Sequence, residues 1–561
     1  MEKRWEIKQQ IDSKLKDLKL RRQKILALLL KNRGVKVKNK VAEFLNPSDP
    51  YLINSLSLGF KKVQLTKAIN RVKKAILNKQ TIVVYGDYDA DGICATGILW
   101  ETLNRLQAKV MPFIPDREKH GYGLNREGID EVVAKFNPQL IITVDNGIVA
   151  NDGVLYANKK GIDVIITDHH QPAKKVPPAL SIIWSDKIAG AGVAWFLAKE
   201  LYQALKPSLL GFKASNSLEL ACIGTVTDMM PVLEVNRSII KYGIKELQQS
   251  QRPGIKALCQ ESGIVQAKIG TYEIGYIIGP RLNAMGRLED ALESLRLLCT
   301  NDDNRALSLA RKLGLTNRQR QQLTETTFDH AKSLWSKNKK DKIIYVANSS
   351  YNQGIVGLVA GRLVDEYYKP AVVVSQEDEY SKGSVRSVDG FNIIEFLRNF
   401  NDLFEDLGGH PMAAGFNIKT SNLAKLQQQL TKLADKKIND KLLQPKVKID
   451  VEIDFQDINW QLVKKLEEMS PFGLGNPRPV FSVRDIKVVK LYPVGRDRQH
   501  LKLELQKGQS PIYQAIAFGQ GKLIKKLGQE QLVDVCFSLD INVWNGDESL
   551  QLMVKDIKLK T

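Results

Sequence analysis

At 561 residues the chain is longer than one hydrophobic core usually organises, so about three or four domains are expected. Charged residues make up 26% and apolar types 43%, which excludes a mostly disordered chain, and no apolar run approaches the roughly 18 residues of a membrane span. The charge is lopsided, with 83 Lys and Arg against 62 Asp and Glu for a net +21. A field of that sign draws polyanions, nucleic acid above all, although a merely basic proteome would give the same count. Cys94, Cys222, Cys259, Cys299 and Cys536 are scattered and form no C-x-x-C, as expected of reduced thiols in a cytoplasmic protein.

The first 55 residues form a basic segment. Residues 1–40 hold 14 Lys and Arg against 4 acids, and Ile11, Leu15, Leu18, Ile25, Leu28 and Leu29 recur at helical spacing, which predicts one basic amphipathic helix. Over 56–235 short apolar strands alternate with amphipathic helices: Thr81–Val84, Val110–Ile114, Leu140–Val144 and Val164–Thr167, with helices near 96–106 and 128–136. That alternation predicts a parallel sheet covered by helices. Residues 236–340 read as helical, ending in a long polar connector helix from 301. A second α/β unit follows over 341–440, with strands Ile343–Val346 and Ala371–Val374. After Pro445 the apolar period becomes two, so 446–561 should be a small β-barrel or sandwich.

Four predicted strands end in acids or imidazoles: Asp87-Tyr-Asp89-Ala-Asp91-Gly92, Asp116, Asp145 and Asp168-His169-His170. In an open parallel sheet, ligands bind outside the carboxyl ends of the strands, so these groups should gather at one rim. Crowded carboxylates repel unless a cation neutralises them. Oxygen ligands with one or two imidazoles suit Mn²⁺, Mg²⁺ or Fe²⁺ better than structural zinc. The set is large enough for two ions, an arrangement suited to phosphoester hydrolysis. Two plainer readings compete. Asp87-x-Asp89-x-Asp91-Gly92 matches half an EF-hand loop, but a strand precedes it and Ile98 stands where that loop needs Glu. A lone Asp at a strand end is often only a helix N-cap.

Gly86-Asp-Tyr-Asp-Ala-Asp-Gly92, Val144-Asp-Asn-Gly147 and Thr167-Asp-His-His170 together resemble the DHH phosphoesterase superfamily, most closely its single-stranded-DNA exonuclease branch. The likeness extends through Pro115–Leu124, Gly224–Pro231, Gly279–Arg287, Gly408–Phe416 and Ser470–Pro477, and covers the chain from Leu26 onward. It implies an α/β fold with a parallel-sheet DHH lobe, a helical connector, a second α/β DHH-associated lobe, and a C-terminal OB-like β-barrel.

By the same resemblance Asp89, Asp91, Asp145, His169 and Asp228 are the main ligands of Mn²⁺ or Mg²⁺, two ions in all. Asp87 and Asp168 lie adjacent, His170 supports, and Asp89, Asp145, His169 and His170 carry the catalysis. One departure is visible, since Tyr85 stands where many members have a histidine, leaving one ion with fewer ligands. Arg117, Arg281, Asn283 and Arg287 are expected on the strand's 5′ end and backbone. Ser384, Arg386, Ser387, Gly408, Gly409 and His410 are expected to form a phosphate site in the second lobe, although a glycine pair by itself is more often a turn. Tyr122, between two glycines, could stack on a base. The aromatics of the C-terminal region, Trp544 among them, fit either core or stacking platform.

The implied activity is metal-dependent 5′→3′ degradation of single-stranded DNA in repair and recombination. The expected partners are single-stranded DNA, a helicase and a single-strand-binding protein, with no membrane association and a monomeric state. A phosphodiesterase for short oligoribonucleotides or cyclic dinucleotides, and a non-catalytic scaffold binding single strands, are the alternatives.

Overall fold

The computed structural model describes residues 3–12, 15–206, 217–336, 340–544 and 546–560, with the side chain of Trp544 outside the described residues. Contacts divide the chain into two compact units. One comprises Arg33–Arg318 with Glu467–Arg478, and the other Met1–Asn32, Gln319–Leu466 and Pro479–Thr561.

The chain opens with strand β1 (Arg4–Ile7), which belongs to the second unit. The first unit holds β2 (Thr81–Tyr85), β3 (Lys109–Phe113), β4 (Leu140–Val144), β5 (Asp163–Asp168) and β6 (Ser181–Trp184), an all-parallel sheet in the order β3-β2-β4-β5-β6. Every residue of β2 and β4 is buried, as expected of strands covered on both faces. Ile82, Val84, Ile142 and Val144 face one core, and Val83, Tyr85, Ile141 and Val164 the other. The strand order reverses beside β2, because β3 lies on one side and β4 on the other. Such a switch point opens a crevice at the carboxyl ends. Helices including Leu218–Thr227, Glu234–Gln248 and Gly279–Leu288 follow, and then the 33-residue helix Asp303–Trp335.

In the second unit β7 (Ile344–Asn348), β8 (Ala371–Ser375), β9 (Tyr380–Arg386), β10 (Phe404–His410) and β11 (Ala413–Lys419) form a sheet ordered β10-β11-β9-β8-β7. Only β7 and β8 run parallel, joined through the helix Val356–Tyr367. The C-terminal strands are β12 (Lys446–Ile449), β13 (Val451–Glu452), β14 (Phe481–Val494), β15 (His500–Gln506), β16 (Tyr513–Ala517), β17 (Leu532–Trp544) and β18 (Asp547–Leu559). Strands β14-β15-β16-β18-β17 close on themselves through a β14–β17 pairing, which leaves those strands no free edge. Leu501, Leu503 and Leu505 alternate into the interior, the pattern visible in the sequence.

The N-terminal segment differs from the single helix its spacing predicts. Arg4–Ile7 is a strand paired in parallel with Lys446–Ile449. Trp5 and Ile7 pack with Val447, Ile449 and Cys536, and Trp5 Nε1 donates to Asp556 Oδ2 at 2.7 Å. A helix begins only at Leu18, where Asp17 Oδ1 accepts from the Leu20 N–H. Long-range strand pairing overrides the local helical period here. One of its basic residues is interior: Arg21 makes a two-pronged bond to Asp457 at 2.6 and 2.7 Å, with the two side chains 3% and 0% exposed.

A buried pair of this kind is strongly destabilised when one member alone is removed. Asp457→Ala is expected to cost about 3–5 kcal/mol, read as a lower denaturant midpoint, whereas Arg21→Met combined with Asp457→Leu recovers most of it. Equal losses in both proteins would show that shape, not the stranded charge, sets the cost.

Candidate metal and active site

The loop after β2 is shaped by what glycine permits. A Cβ at Gly92 would lie 2.6 Å from Asp87 Cβ and 2.8 Å from its backbone, and one at Gly86 would lie 2.0 Å from Thr96 Oγ1. This close approach lets Asp87, Asp89 and Asp91 crowd one rim. Asp89 Oδ1 caps the helix Ala90–Arg105, accepting from the N–H groups of Asp91 and Gly92 at 3.0 Å each. The N-cap reading is therefore true of Asp89, and its second oxygen is left for other work. Asp91 accepts from the N–H groups of Gly190 (2.7 Å) and Ala191 (3.0 Å), at the start of the helix Gly190–Leu205.

Asp145 follows β4 with φ +62°, the left-handed region that non-glycine residues seldom adopt and that clusters at functional sites. Its turn is held by Asn146, whose Nδ2 donates to the carbonyls of Gly86 (3.0 Å) and Val144 (2.9 Å). Asp228 ends the helix Leu218–Thr227. His169 Nε2 lies 3.2 Å from Asp145 Oδ1 and 3.7 Å from Asp228 Oδ2. Three overlapping groups of donor atoms result: Asp145, His169 and His170; Asp91, His169 and Asp228; and Asp87, Asp89 and Asp145.

Asp87 Oδ1, Asp145 Oδ1 and His169 Nε2 are buried without a hydrogen-bond partner among the described residues. Such atoms need a partner, and oxygen-rich donors with imidazole fit Mn²⁺ or Mg²⁺. Burial, then the charge of Asp89, pushes Asp87 up to about 8. Burial and Asp228 push Asp91 to about 7, burial and Asp89 push Asp228 to about 7, and burial with Asp91 holds Asp145 well above the carboxylate range. Burial lowers His169. Burial opposes a charge on His170 too, but its 2.8 Å hydrogen bond to Asp168 Oδ1 prevails and raises it to about 9. Asp168, although buried, is lowered by that same bond and also accepts from the N–H groups of Ile148, His169 and His170. It thus faces His170 and backbone, outside the three donor groups. Asp116 turns back into its own loop, accepting from the N–H groups of Glu118 and Lys119, so it does not join the rim as its strand-end position suggests.

Tyr85 is fully buried, with its hydroxyl donating to the Gly123 carbonyl at 3.2 Å. The donor group nearest in sequence, Asp87-Asp89-Asp145, is consequently all carboxylate. Beside it Arg117 lies 3.9 Å over the Tyr88 ring and donates to the Gly286 carbonyl. Tyr88, given no role by the motif that contains it, thereby seats a guanidinium. Asn283 Oδ1 accepts from the Ala90 N–H at 2.8 Å, fixing the start of the ligand-bearing helix, and Arg287 adds its positive charge near Tyr88. Tyr122 is half exposed, its ring edge-on to His170 at 6.0 Å. Arg281 is bonded to Glu261 at 2.7 Å, the structural alternative to a strand contact.

The other unit holds the remaining residues. Ser384, Gly415 and Gly408 are opposite one another across β9, β11 and β10, as are Arg386, Ala413 and His410. In-register residues share a face, so Ser384, Arg386, Gly408 and His410 share one, which glycine and alanine leave bare. Arg386 Nη1 donates to Ser384 Oγ at 3.1 Å, without a carboxylate partner among the described residues. A Cβ at Gly357, in the first turn of the helix Val356–Tyr367, would lie 3.2 Å from Arg386 Nη2. A helix N-terminus, an arginine and a hydroxyl together form an anion seat. Ser387 instead donates to the Phe391 carbonyl, and Gly409, at φ +147°, supplies a close approach to Ala413 and Ala414.

The sequence reading passes over two walls of the acid cluster. A Cβ at Gly190 would lie 2.3 Å from Asp145 Oδ1, and one at Gly224 2.2 Å from Asp91 Oδ1. The small-residue run Ala189-Gly-Ala-Gly192 is the only local signal of the first.

Because its folded value lies above that of the unfolded chain, the Asp145 carboxyl destabilises the metal-free protein increasingly as pH rises. Asp145→Asn, with a side chain that also tolerates positive φ, is expected to raise the unfolding temperature in EDTA at pH 8, with the gain shrinking as pH falls and vanishing only at about pH 3.5, below the unfolded carboxyl's own value. A gain equal at both pH values would remove charge crowding as its cause.

Three family models match in chain order: the DHH family N-terminal domain over residues 81–225, the DHHA1 domain over 340–436, and the RecJ OB domain over 449–556. The single-stranded-DNA-specific exonuclease RecJ of Bacillus subtilis is 33% identical, the match covering 99% of this chain and 70% of the relative. That of Thermus thermophilus is 32% identical over 88% of this chain and 71% of its own length. The crystal structure of RecJ from Thermus thermophilus in complex with Mn²⁺ matches with a TM-score of 0.81 at 27% identity, over 100% of this chain and 80% of that one. The same protein has also been solved with Mg²⁺. With a relative 33% identical along 99% of this chain and 70% of its own length, the chain belongs to the RecJ family of DHH phosphoesterases.

Proposed function

We propose that this protein is a metal-dependent exonuclease that hydrolyses single-stranded DNA in the 5′→3′ direction. The observation that carries the reading is the set of buried donor atoms at the β2–β4 switch point, Asp87 Oδ1, Asp145 Oδ1 and His169 Nε2 having no hydrogen-bond partner among the described residues, in a chain of this family. Mn²⁺ or Mg²⁺, two ions in all, would supply Lewis-acid polarisation of the phosphate and acidify water. Asp87, Asp89, Asp91, Asp145, His169 and Asp228 would hold them, with Asp145 common to two of the donor groups. His170, kept protonated by Asp168 and 4.0 Å from Asp145, is placed to give a proton to the leaving oxygen. Arg117, Arg287 and Asn283 would orient the strand beside the acids, and Ser384, Arg386, Gly408 and His410 would take a phosphate. Arg281, ion-paired with Glu261, would serve the fold and not the strand.

A closed C-terminal barrel and a net charge of +21 favour a polymeric substrate over a dinucleotide, and the acids and imidazoles gathered at one rim disfavour an inert scaffold. Action in repair and recombination in the cytoplasm, as a monomer alongside a helicase and a single-strand-binding protein, belongs to the same proposal. Among the described residues no helix is long and apolar enough to cross a membrane.

A gel assay with Mn²⁺ on 3′-labelled single-stranded DNA, the same strand in a blunt duplex, and a dinucleotide tests the activity. Progressive shortening of the single strand from its 5′ end is expected. Asp145→Ala should lower the rate by about a thousandfold or more while strand binding persists. Cleavage of the dinucleotide alone would move the protein to small substrates. Arg386→Ala is expected to weaken strand binding and reduce the log–log salt slope by about 0.7, one phosphate contact on a single strand; an unchanged slope would take Arg386 off the backbone.

A further inference from the structure

Tyr272 and Tyr276 are 63% and 73% exposed, and their rings stack on each other with centroids 5.0 Å apart and planes 27° from parallel. Neither ring has another aromatic or cationic neighbour, and neither hydroxyl has a hydrogen-bond partner, among the described residues. Single exposed aromatics are ordinary, but two adjoining ones form an apolar patch that folding does not need. Their position gives the patch a direction. Helical backbone runs from Thr271 to Leu288, and its Ile274–Ile278 stretch is π-helical, an irregularity that re-aims side chains and recurs at functional sites. Gly275 and Gly279 form the packed face of this stretch, where added Cβ atoms would lie 3.7 Å from Val226 Cγ1 and 2.5 Å from Thr227 Cγ2. The residue after Thr227 is Asp228, a member of the acid cluster. Tyr276 follows Gly275 by one residue, so the tyrosine face lies roughly a quarter turn around the helix from that contact. The downstream turns of the same helix carry Asn283, bonded to Ala90, and Gly286, whose carbonyl holds Arg117.

We propose that Tyr272 and Tyr276 form a base-stacking subsite for single-stranded DNA beside the acid cluster, a reading that rests on the exonuclease assignment. Unpaired bases expose the faces such rings accept, whatever the base, and the basic chain supplies the complementary charge. Stacking here fixes nucleotides next to the reacting phosphate by their bases, while the arginines hold the backbone. A duplex, its bases covered, gains nothing from this subsite.

The test uses the full chain with Asp145→Asn, so that the strand stays intact, and measures by anisotropy the affinity for oligo-dT and for an abasic strand of equal length. Tyr272→Ala with Tyr276→Ala is expected to weaken oligo-dT binding about 5- to 100-fold and to leave the abasic strand bound as by the parent. Tyr272→Phe with Tyr276→Phe, which keeps both rings, restores the parent's preference for bases. Photocrosslinking of a 5-iodouracil strand should map to residue 272 or 276. Unchanged oligo-dT affinity in the alanine protein, or an equal loss on both strands, would overturn the subsite while leaving the nuclease reading intact. Failure of the unsubstituted protein to cleave single-stranded DNA would instead sink the reading on which it rests.

Discussion

The structure is organised around five carboxylates that would rather be apart. Asp87, Asp89, Asp91, Asp145 and Asp228 share one rim, and two like charges 4 Å apart repel by about 4 kcal/mol at the effective dielectric of a protein surface. Their proximity is enforced by backbone. The Ala90–Arg105 helix start holds Asp89, the Gly190–Leu205 start holds Asp91, and an uncommon left-handed conformation holds Asp145. Helix N-termini carry partial positive charge, so two of the acids are partly compensated before any cation arrives. The remaining imbalance is concentrated on Asp145 and Asp87, whose Oδ1 atoms have no hydrogen-bond partner among the described residues. Catalytic sites commonly store such strain, which the surrounding fold must outweigh.

The surrounding elements serve that placement. Two fully buried strands, β2 and β4, end side by side at the sheet's switch point and deliver the Asp87–Asp91 loop and Asp145 to the same crevice. Gly190 and Gly224 bring two further helices against the acids more closely than any side chain would permit. The neighbouring histidines divide their work by environment. Burial disfavours a charge on His169, whose Nε2 lies by Asp145 and Asp228 without a hydrogen-bond partner among the described residues, whereas the bond of His170 to Asp168 favours its charged form.

The other unit gathers its polar groups by different means. Its sheet face is cleared by Gly408, Ala413 and Gly415, leaving Arg386, Ser384 and His410 along one face. No acid among the described residues competes for the arginine there, so its charge is available to an anion. The same unit ties the first residues of the chain to the stretch 446–457, through β1 on β12 and the enclosed Arg21–Asp457 pair.

Much of this was legible in the sequence. Continuous β-branched runs marked the buried parallel strands, period-two runs marked the barrel, and Asp87-x-Asp89-x-Asp91, Asp145 and His169-His170 were identifiable because acids at strand ends are rare unless they bind or cap something. These are local patterns, written in neighbouring residues. What the sequence could not reveal depends on partners distant along the chain. The strand at Arg4–Ile7 exists because Lys446–Ile449 offers an edge, so a helical period at Ile11–Leu29 misplaced its start. Arg281 and Arg386 look alike as basic residues among motif glycines, but Glu261 engages the first and no described acid reaches the second. Gly190 reads as an ordinary small residue until the fold sets it 2.3 Å from where a side chain would strike Asp145. Composition and spacing determined which chemistry the chain could perform. Tertiary packing decided which of the candidate groups were left free to perform it, because whether a charge is paired, buried or open is a property of what surrounds it.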